Sequence, residues 1–323
     1  MEHRLILVKF FKIGNLYYLI FVASFFIGGC STPSVQSTKK LPSKEANIPV
    51  TEEEREWMEK FFKEFFLKGA SLYTLFGTKP ISEEMLVCAT EEDYRKGALL
   101  YIEKEGIEGD EKEEILSEAS KTYHEYDFDT KWAQWITYFE RHPNSPFIFA
   151  KHPARSEKVW SAHILNIQET VWTLQKHYDI FRKEVGYDFD PVSVTMDFKN
   201  EDSIFWKDVF ANHLLTGIVY GFGYKNSYFF DMYINLPNNS KLKDSLFYSK
   251  TQGLTECSFV YTLDSLSLPG FRSFILPFND DPVLEKYKSE REIIKSKLNN
   301  SNFFEMVFLQ LTGQFSKENN NQD

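Results

Sequence analysis

Cysteine is scarce in this sequence: Cys30, Cys88 and Cys257 are the three in 323 residues. None belongs to a Cys-x-x-Cys pair and no two histidines stand at i, i+4, so the specific signatures of a bound metal are missing. A basic excess is missing too. With 37 Lys and Arg against 47 Asp and Glu the net charge is −10, which repels phosphate backbones and argues against nucleic-acid binding or a polybasic grip on anionic lipid. Composition excludes a multi-span membrane protein and wholesale disorder, since 42% hydrophobic and 26% charged residues are close to an average globular domain. Nucleophile motifs are absent: there is no Gly-x-Ser-x-Gly elbow, no Ser-x-x-Lys set completed by Ser-Asp-Asn and Lys-Thr-Gly, and no Cys in a papain-like setting. Residues 217–223 hold three glycines without the Lys-Ser or Lys-Thr of a phosphate-binding loop.

Weaker patterns are better explained structurally. His163 with Glu169, and His177 with Asp179, fall at spacings that do not put two ligands on one helix face, so they read as satisfied or exposed histidines. Asp127-Phe-Asp129 and Asp188-Phe-Asp190 begin like a calcium loop but lack Gly at the sixth position and Glu at the twelfth; Asp188-Phe-Asp190-Pro191 reads as a turn. Carboxylates are plentiful enough for glycoside hydrolysis, yet nothing in the sequence sets two of them across a sugar. No catalytic, cofactor-binding or metal-ligating residue is therefore named, and the expectation leans away from an enzyme. Aromatics reach 17%, with 31 Phe and 17 Tyr, which suits either a stacking surface or a general compositional bias toward Phe and Tyr.

What is present first is an address. Arg4, Lys9 and Lys12 precede the uncharged stretch 13–29, which ends Ile27-Gly28-Gly29-Cys30. Positive charge followed by an apolar segment and small residues describes a secretory signal. The final four residues resemble a bacterial lipobox, in which small residues admit the peptidase and the cysteine thiol takes the diacylglycerol. Residues 1–29 are thus expected to be a lipoprotein signal peptide and Cys30 the lipidated first residue; an uncleaved anchor is the alternative. The mature chain would carry 34 basic and 46 acidic side chains, a charge of −12. Residues 30–50, rich in Ser, Thr, Pro and Lys, read as a flexible tether. Ser31 is not a retention signal of the Asp type, which favours the outer membrane. Export leaves Cys88 and Cys257 free to form a disulfide or to remain separate buried thiols.

The body, residues 51–315, reads as a single mainly α domain with a few short strands, α+β being the alternative, and residues 316–323 as a disordered tail. Thr51 and Glu54 match a capping box before an aromatic stripe at 57, 61, 62, 65 and 66. Residues 71–80 alternate and predict a strand or extended connection; 91–123 predict two charged helices split at Gly106 and Gly109, with helix again at 132–141. A buried strand is expected at 146–150, one long helix at 156–185, and another from 200 to 220 that stops at Gly221-Phe-Gly223. Helix restarting at 226–233, a loop over 236–258, a strand near 270–277 and helices at 282–298 and 303–312 complete the pattern.

Ser71-Leu-Tyr-Thr-Leu-Phe-Gly-Thr-Lys-Pro80, His213-Leu-Leu-Thr-Gly217 with Gly221-Phe-Gly-Tyr-Lys-Asn226, and Phe274-Ile-Leu-Pro277 leading to Tyr287-Lys-Ser-Glu-Arg-Glu-Ile293 occur in this order. Over most of residues 51–300 the chain so resembles uncharacterised lipoproteins of chlamydia-type intracellular bacteria. The resemblance implies an envelope location and brings no activity, so no site residue follows from it. The functional expectation is an envelope lipoprotein attached by acyl chains on Cys30, with a binding or structural role. The alternative is a lipid-anchored hydrolase whose site is assembled from distant residues.

Overall fold

The computed structural model describes residues 50–314 except 68, 88–89, 127, 154–158, 238–249, 253–262, 277–279 and 300. The expected signal peptide, Cys30, most of the expected tether, Cys88, Cys257 and the expected tail lie outside the described residues. The chain divides into two compact units, one holding residues 87–130 and the other 50–86 with 131–314.

Thr51 opens helix α1 (Glu52–Phe66) with the expected capping box: its hydroxyl accepts from the Glu54 amide at 3.1 Å and its own amide donates to Glu54 Oε2 at 2.9 Å. Two of the otherwise unpaired amides of the first turn are thereby satisfied. The apolar face of α1 carries Phe61, Phe62, Phe65 and Phe66, all buried. Next comes α2 (Ser71–Phe76), where the sequence pattern predicts a strand. Residues 71 to 75 are all buried, so no polar face remains to display a helical period. A hairpin of α3 (Glu91–Glu105) and α4 (Asp110–Tyr126) forms the smaller unit, turning through Gly106 and Gly109 at φ 67° and 68°, the left-handed region that favours glycine. Ala98, Tyr101, Ile102, Ile115 and Ala119 form its core.

Helix α5 (Phe128–Phe139) leads into β2 (Phe147–Pro153), and β2 pairs antiparallel with β3 (Val159–Asn166) in the register Ala150 opposite His163 and His152 opposite Ser161. β1 (Ile81–Val87) joins the other edge of β3, giving the order β1-β3-β2. The single helix expected over 156–185 is therefore a strand followed by α6 (Ile167–Lys176) and α7 (Tyr178–Val185). Asn166 ends the strand and caps α6, its side chain accepting from the Glu169 amide at 3.1 Å. Asp190 caps α8 (Pro191–Met196) with Pro191 in its first turn, in keeping with the turn expected there. A 3-10 turn (Asp197–Lys199) follows. The helix expected over 200–220 is two, α9 (Ile204–Ala211) and α10 (His213–Val219), divided by Asn212, whose side chain accepts from the Leu215 amide.

Gly221 and Gly223 make the turn into α11 (Tyr224–Asn235) at φ 78° and 77°. A two-stranded antiparallel ladder of β4 (Lys250–Gln252) and β5 (Phe271–Ser273) precedes α12 (Pro282–Asn299) and α13 (Phe303–Leu311). The architecture is mainly α with small antiparallel sheets.

Each face of the three-stranded sheet meets its own apolar layer. On one, Phe149 packs on Phe65, Trp132, Trp135 and Phe139 with ring centroids 4.9–6.0 Å apart. On the other, Ile81, Ile148, Ala150 and Leu165 meet Leu174, Phe181, Phe198, Trp206, Val209 and Leu215 from the helices after β3. Aromatic rings fully buried in this way stabilise by about 1.5–3 kcal/mol each relative to exposure. Among the described residues no helix is long and apolar enough to cross a membrane.

Candidate functional site

Strand alternation sorts the polar residues of the sheet onto opposite faces. Glu84 and Ser82 point to α2, where Ser71 donates to Glu84 at 3.0 Å and the hydroxyls of Thr74 and Ser82 lie 2.7 Å apart. Glu83, Ser161, His163 and His152 lie on the face covered by the second layer, a row of polar groups inside an apolar core.

Glu83 anchors that row. Its Oε1 accepts a short hydrogen bond from Ser161 and its Oε2 accepts from the Tyr220 hydroxyl at 2.7 Å. Tyr220, at the end of α10, also sits 3.2 Å from Nε2 of His163. Its only proton is committed to the carboxylate, which when ionised can only accept, so the phenol oxygen accepts from His163 and Nε2 carries the imidazole proton. Nδ1 of His163 is buried with no hydrogen-bond partner, as is Nε2 of His152. The two imidazoles are neighbours, 5.2 Å between centroids.

Lys79 closes the cluster from the turn before β1. Only 3% exposed, its ammonium donates a short hydrogen bond to the carbonyl of Ile81 and lies 5.1 Å over the ring of Tyr220 and 5.5 Å over Phe222. Beside it, Gly221 admits a close approach of Tyr287: a Cβ there would overlap the Tyr287 hydroxyl and press on Pro80, while Tyr287 donates to the Gly221 carbonyl at 2.9 Å.

Burial dominates the titration of these groups. It pushes Lys79 down to about 7, with Lys286 acting the same way and Glu83 and Glu84 opposing. It holds His163 down at about 4 against the opposing pull of Glu83, and raises Tyr220 well above the usual phenol value, helped by Glu83. For Glu83 burial acts upward, but His163, the Ser161 and Tyr220 hydroxyls and Lys79 together hold the carboxyl below its ordinary range. With His163 neutral at pH 7, the two hydroxyls and the Lys79 charge carry that stabilisation.

An amine that is part neutral at physiological pH, an ionised carboxylate, a phenol and an imidazole could in principle move protons or attack a carbonyl. Here they are turned on one another. Lys79, Ser161 and His163 are 3%, 6% and 2% exposed, so a substrate would reach them only by displacing their cover. Among the described residues no group of three or more His, Cys, Asp or Glu could hold a metal ion.

Elsewhere, Asn226, Ser273 and Asp281 form a buried polar knot: both Ser273 and Asn226 donate to Asp281 Oδ2, and Asn226 accepts from the Phe274 amide at 3.0 Å. It ties α11 and β5 to the start of α12. An open depression of about 490 Å³ is lined by Glu184, Asp208, Asn212, His213 and Asp231. Its carboxylates are already engaged, Asp208 by Tyr187 at 3.0 Å and Asp231 by Asn235 at 3.3 Å.

Of the residues considered from sequence, His163 belongs to the cluster but does not pair with Glu169. His177 ends α6, and Asp188 lies near Arg182 and Tyr178 on the surface. Lys79, Glu83, His152, Ser161 and Tyr220 were missed. The available signal was period-two polarity, Ser161 and His163 alternating with Ala162 and Ile164, in a stretch read as helix. The chain matches no protein-family model, no curated protein and no solved structure.

Proposed function

We propose that this chain is an exported envelope lipoprotein, held outside the cytoplasm by acyl chains on Cys30, whose body works by binding a partner rather than by catalysis. The observation that carries the binding reading is the closure of the Lys79–Glu83–Tyr220–His163 cluster, whose polar groups are spent mainly on each other beneath an apolar cover. Large apolar side chains stand at the surface instead: Trp172, Met196 and Ile204 are 65%, 56% and 70% exposed. The lipobox pattern, the acidic composition and the resemblance to chlamydia-type lipoproteins support the envelope location, with the outer membrane favoured.

Site-specific photo-cross-linking in intact cells tests this. A cross-linker replacing Trp172 is expected to give one discrete adduct, while one replacing exposed Lys207 gives none. No adduct from Trp172, or the same adducts from both positions, contradicts the proposal. The second reading, a lipid-anchored hydrolase, is favoured by one observation, the Lys79 amine held near neutrality beside Glu83. It requires that Lys79→Met and Glu83→Gln abolish turnover of an ester or glycoside that the parent chain hydrolyses.

A further inference from the structure

Two histidines side by side in an apolar nest are an unusual use of core space. His152 on β2 and His163 on β3 face the same side of the sheet, diagonal across the ladder. One cover encloses both. Phe198, from the 3-10 turn, lies 5.1 Å from the ring of His152 and 5.7 Å from that of His163; Phe210, from α9, lies 5.9 and 5.3 Å away. Each imidazole keeps one buried ring nitrogen without a partner. A neutral ring tolerates this at modest cost, whereas a charged one in the same place does not.

We propose that the His152–His163 pair is an acid-sensitive latch, and that its protonation releases the segment carrying Phe198 and Phe210 from the sheet, opening the Lys79–Glu83–Tyr220 cluster to water.

The groups facing the pair set the order of events. His152 is the less enclosed ring and is met by the Phe198 backbone, by Glu201 in the loop after the 3-10 turn and by Glu83 on β1, all of which favour its charged form against burial. It takes the first proton. His163 then faces a cation on β2 and Lys79 before β1, against the single carboxylate of Glu83 on β1 and the uncharged Tyr220 from α10. A second proton puts three positive charges around one buried negative charge. Like charges at this spacing in a desolvated site repel strongly. The least costly relief leaves the sheet paired and lifts the cover, because water can then solvate both imidazolium rings. Trp206 reports on this event: its ring meets that of Phe198 edge to face at 4.7 Å and its indole N–H donates to the Val194 carbonyl at 2.7 Å.

The test is hydrogen exchange of the full chain at pH 7 and pH 4, the lower value reaching the range in which His163 titrates, corrected for intrinsic exchange, with acrylamide quenching of tryptophan fluorescence over the same range. Acid is expected to raise deuterium uptake at least threefold in peptides covering 197–220 and to leave α1 and α13 unchanged. In His152→Gln, which keeps a neutral polar side chain at this half-buried position, the quenching midpoint moves by at least one pH unit; His142→Gln, a half-buried histidine away from the pair, keeps the parent midpoint. Uniform uptake across the chain, no change at 197–220, or an unmoved midpoint in His152→Gln each overturn the proposal. Should His163→Leu fail to fold, the exchange of the parent chain and the His152→Gln midpoint still decide.

Discussion

Alkali should stabilise this protein through its buried amines, Lys79 above all, with Lys286, also lowered by burial, acting the same way. Lys79 titrates near 7 in the folded chain, displaced from an ordinary value of 10.5 by burial. Between those pH values the unfolded chain holds a proton that the folded chain has released, so the folded state gains as pH rises. Each pH unit across that interval is worth about 1.4 kcal/mol, and going from pH 7 to pH 10 adds roughly 3 kcal/mol. His163, neutral throughout, does not contribute there. Above about pH 10 the direction reverses, since Tyr220 and Tyr287 resist ionisation when folded but ionise when unfolded. Maximum stability should therefore lie near pH 10, above the usual range of about pH 5–8. Urea titrations at pH 7, 8.5 and 10 followed by tryptophan fluorescence read this directly, because all six tryptophans belong to the unit that contains Lys79. Lys79→Met, similar in length and uncharged, should lose most of the rise. A flat or falling profile in the parent chain, or an equal rise in Lys79→Met, would refute the reasoning.

Tyr220→Phe strips Glu83 Oε2 and His163 Nε2 of their shared partner and should cost about 1–3 kcal/mol, measured by the shift of the urea midpoint. Gly221→Ala combines a positive φ with overlap against the Tyr287 hydroxyl, and is expected to destabilise by more than about 1 kcal/mol in the same assay. Thr51→Ala removes the capping box of α1 and should cost about 1 kcal/mol, seen as a small loss of thermal midpoint at pH 7.

Elements with a clear amphipathic period or a cap were legible before the structure: α1 through Thr51 and Glu54, the α3–α4 hairpin through its two glycines, β2 between its breakers. Those that failed were buried on more than one side. In α2 every position from 71 to 75 is buried, which erases the helical stripe; in β3 the polar residues face inward, which inverts the expected strand pattern. The same inversion hid the cluster. Nothing local marks Glu83 until Ser161 and Tyr220 arrive from segments distant in sequence. A network assembled across 137 positions, as between Glu83 and Tyr220, leaves no local spacing to find.

The most direct test of the account lies at Cys30, on which the envelope placement of the whole body depends. Cells expressing the parent chain and Cys30→Ser would be labelled with palmitate and the precursor followed by size. Label is expected on a shortened parent chain and none on the variant, which persists uncleaved. Continued labelling of Cys30→Ser, or a parent chain that is never shortened, would contradict it.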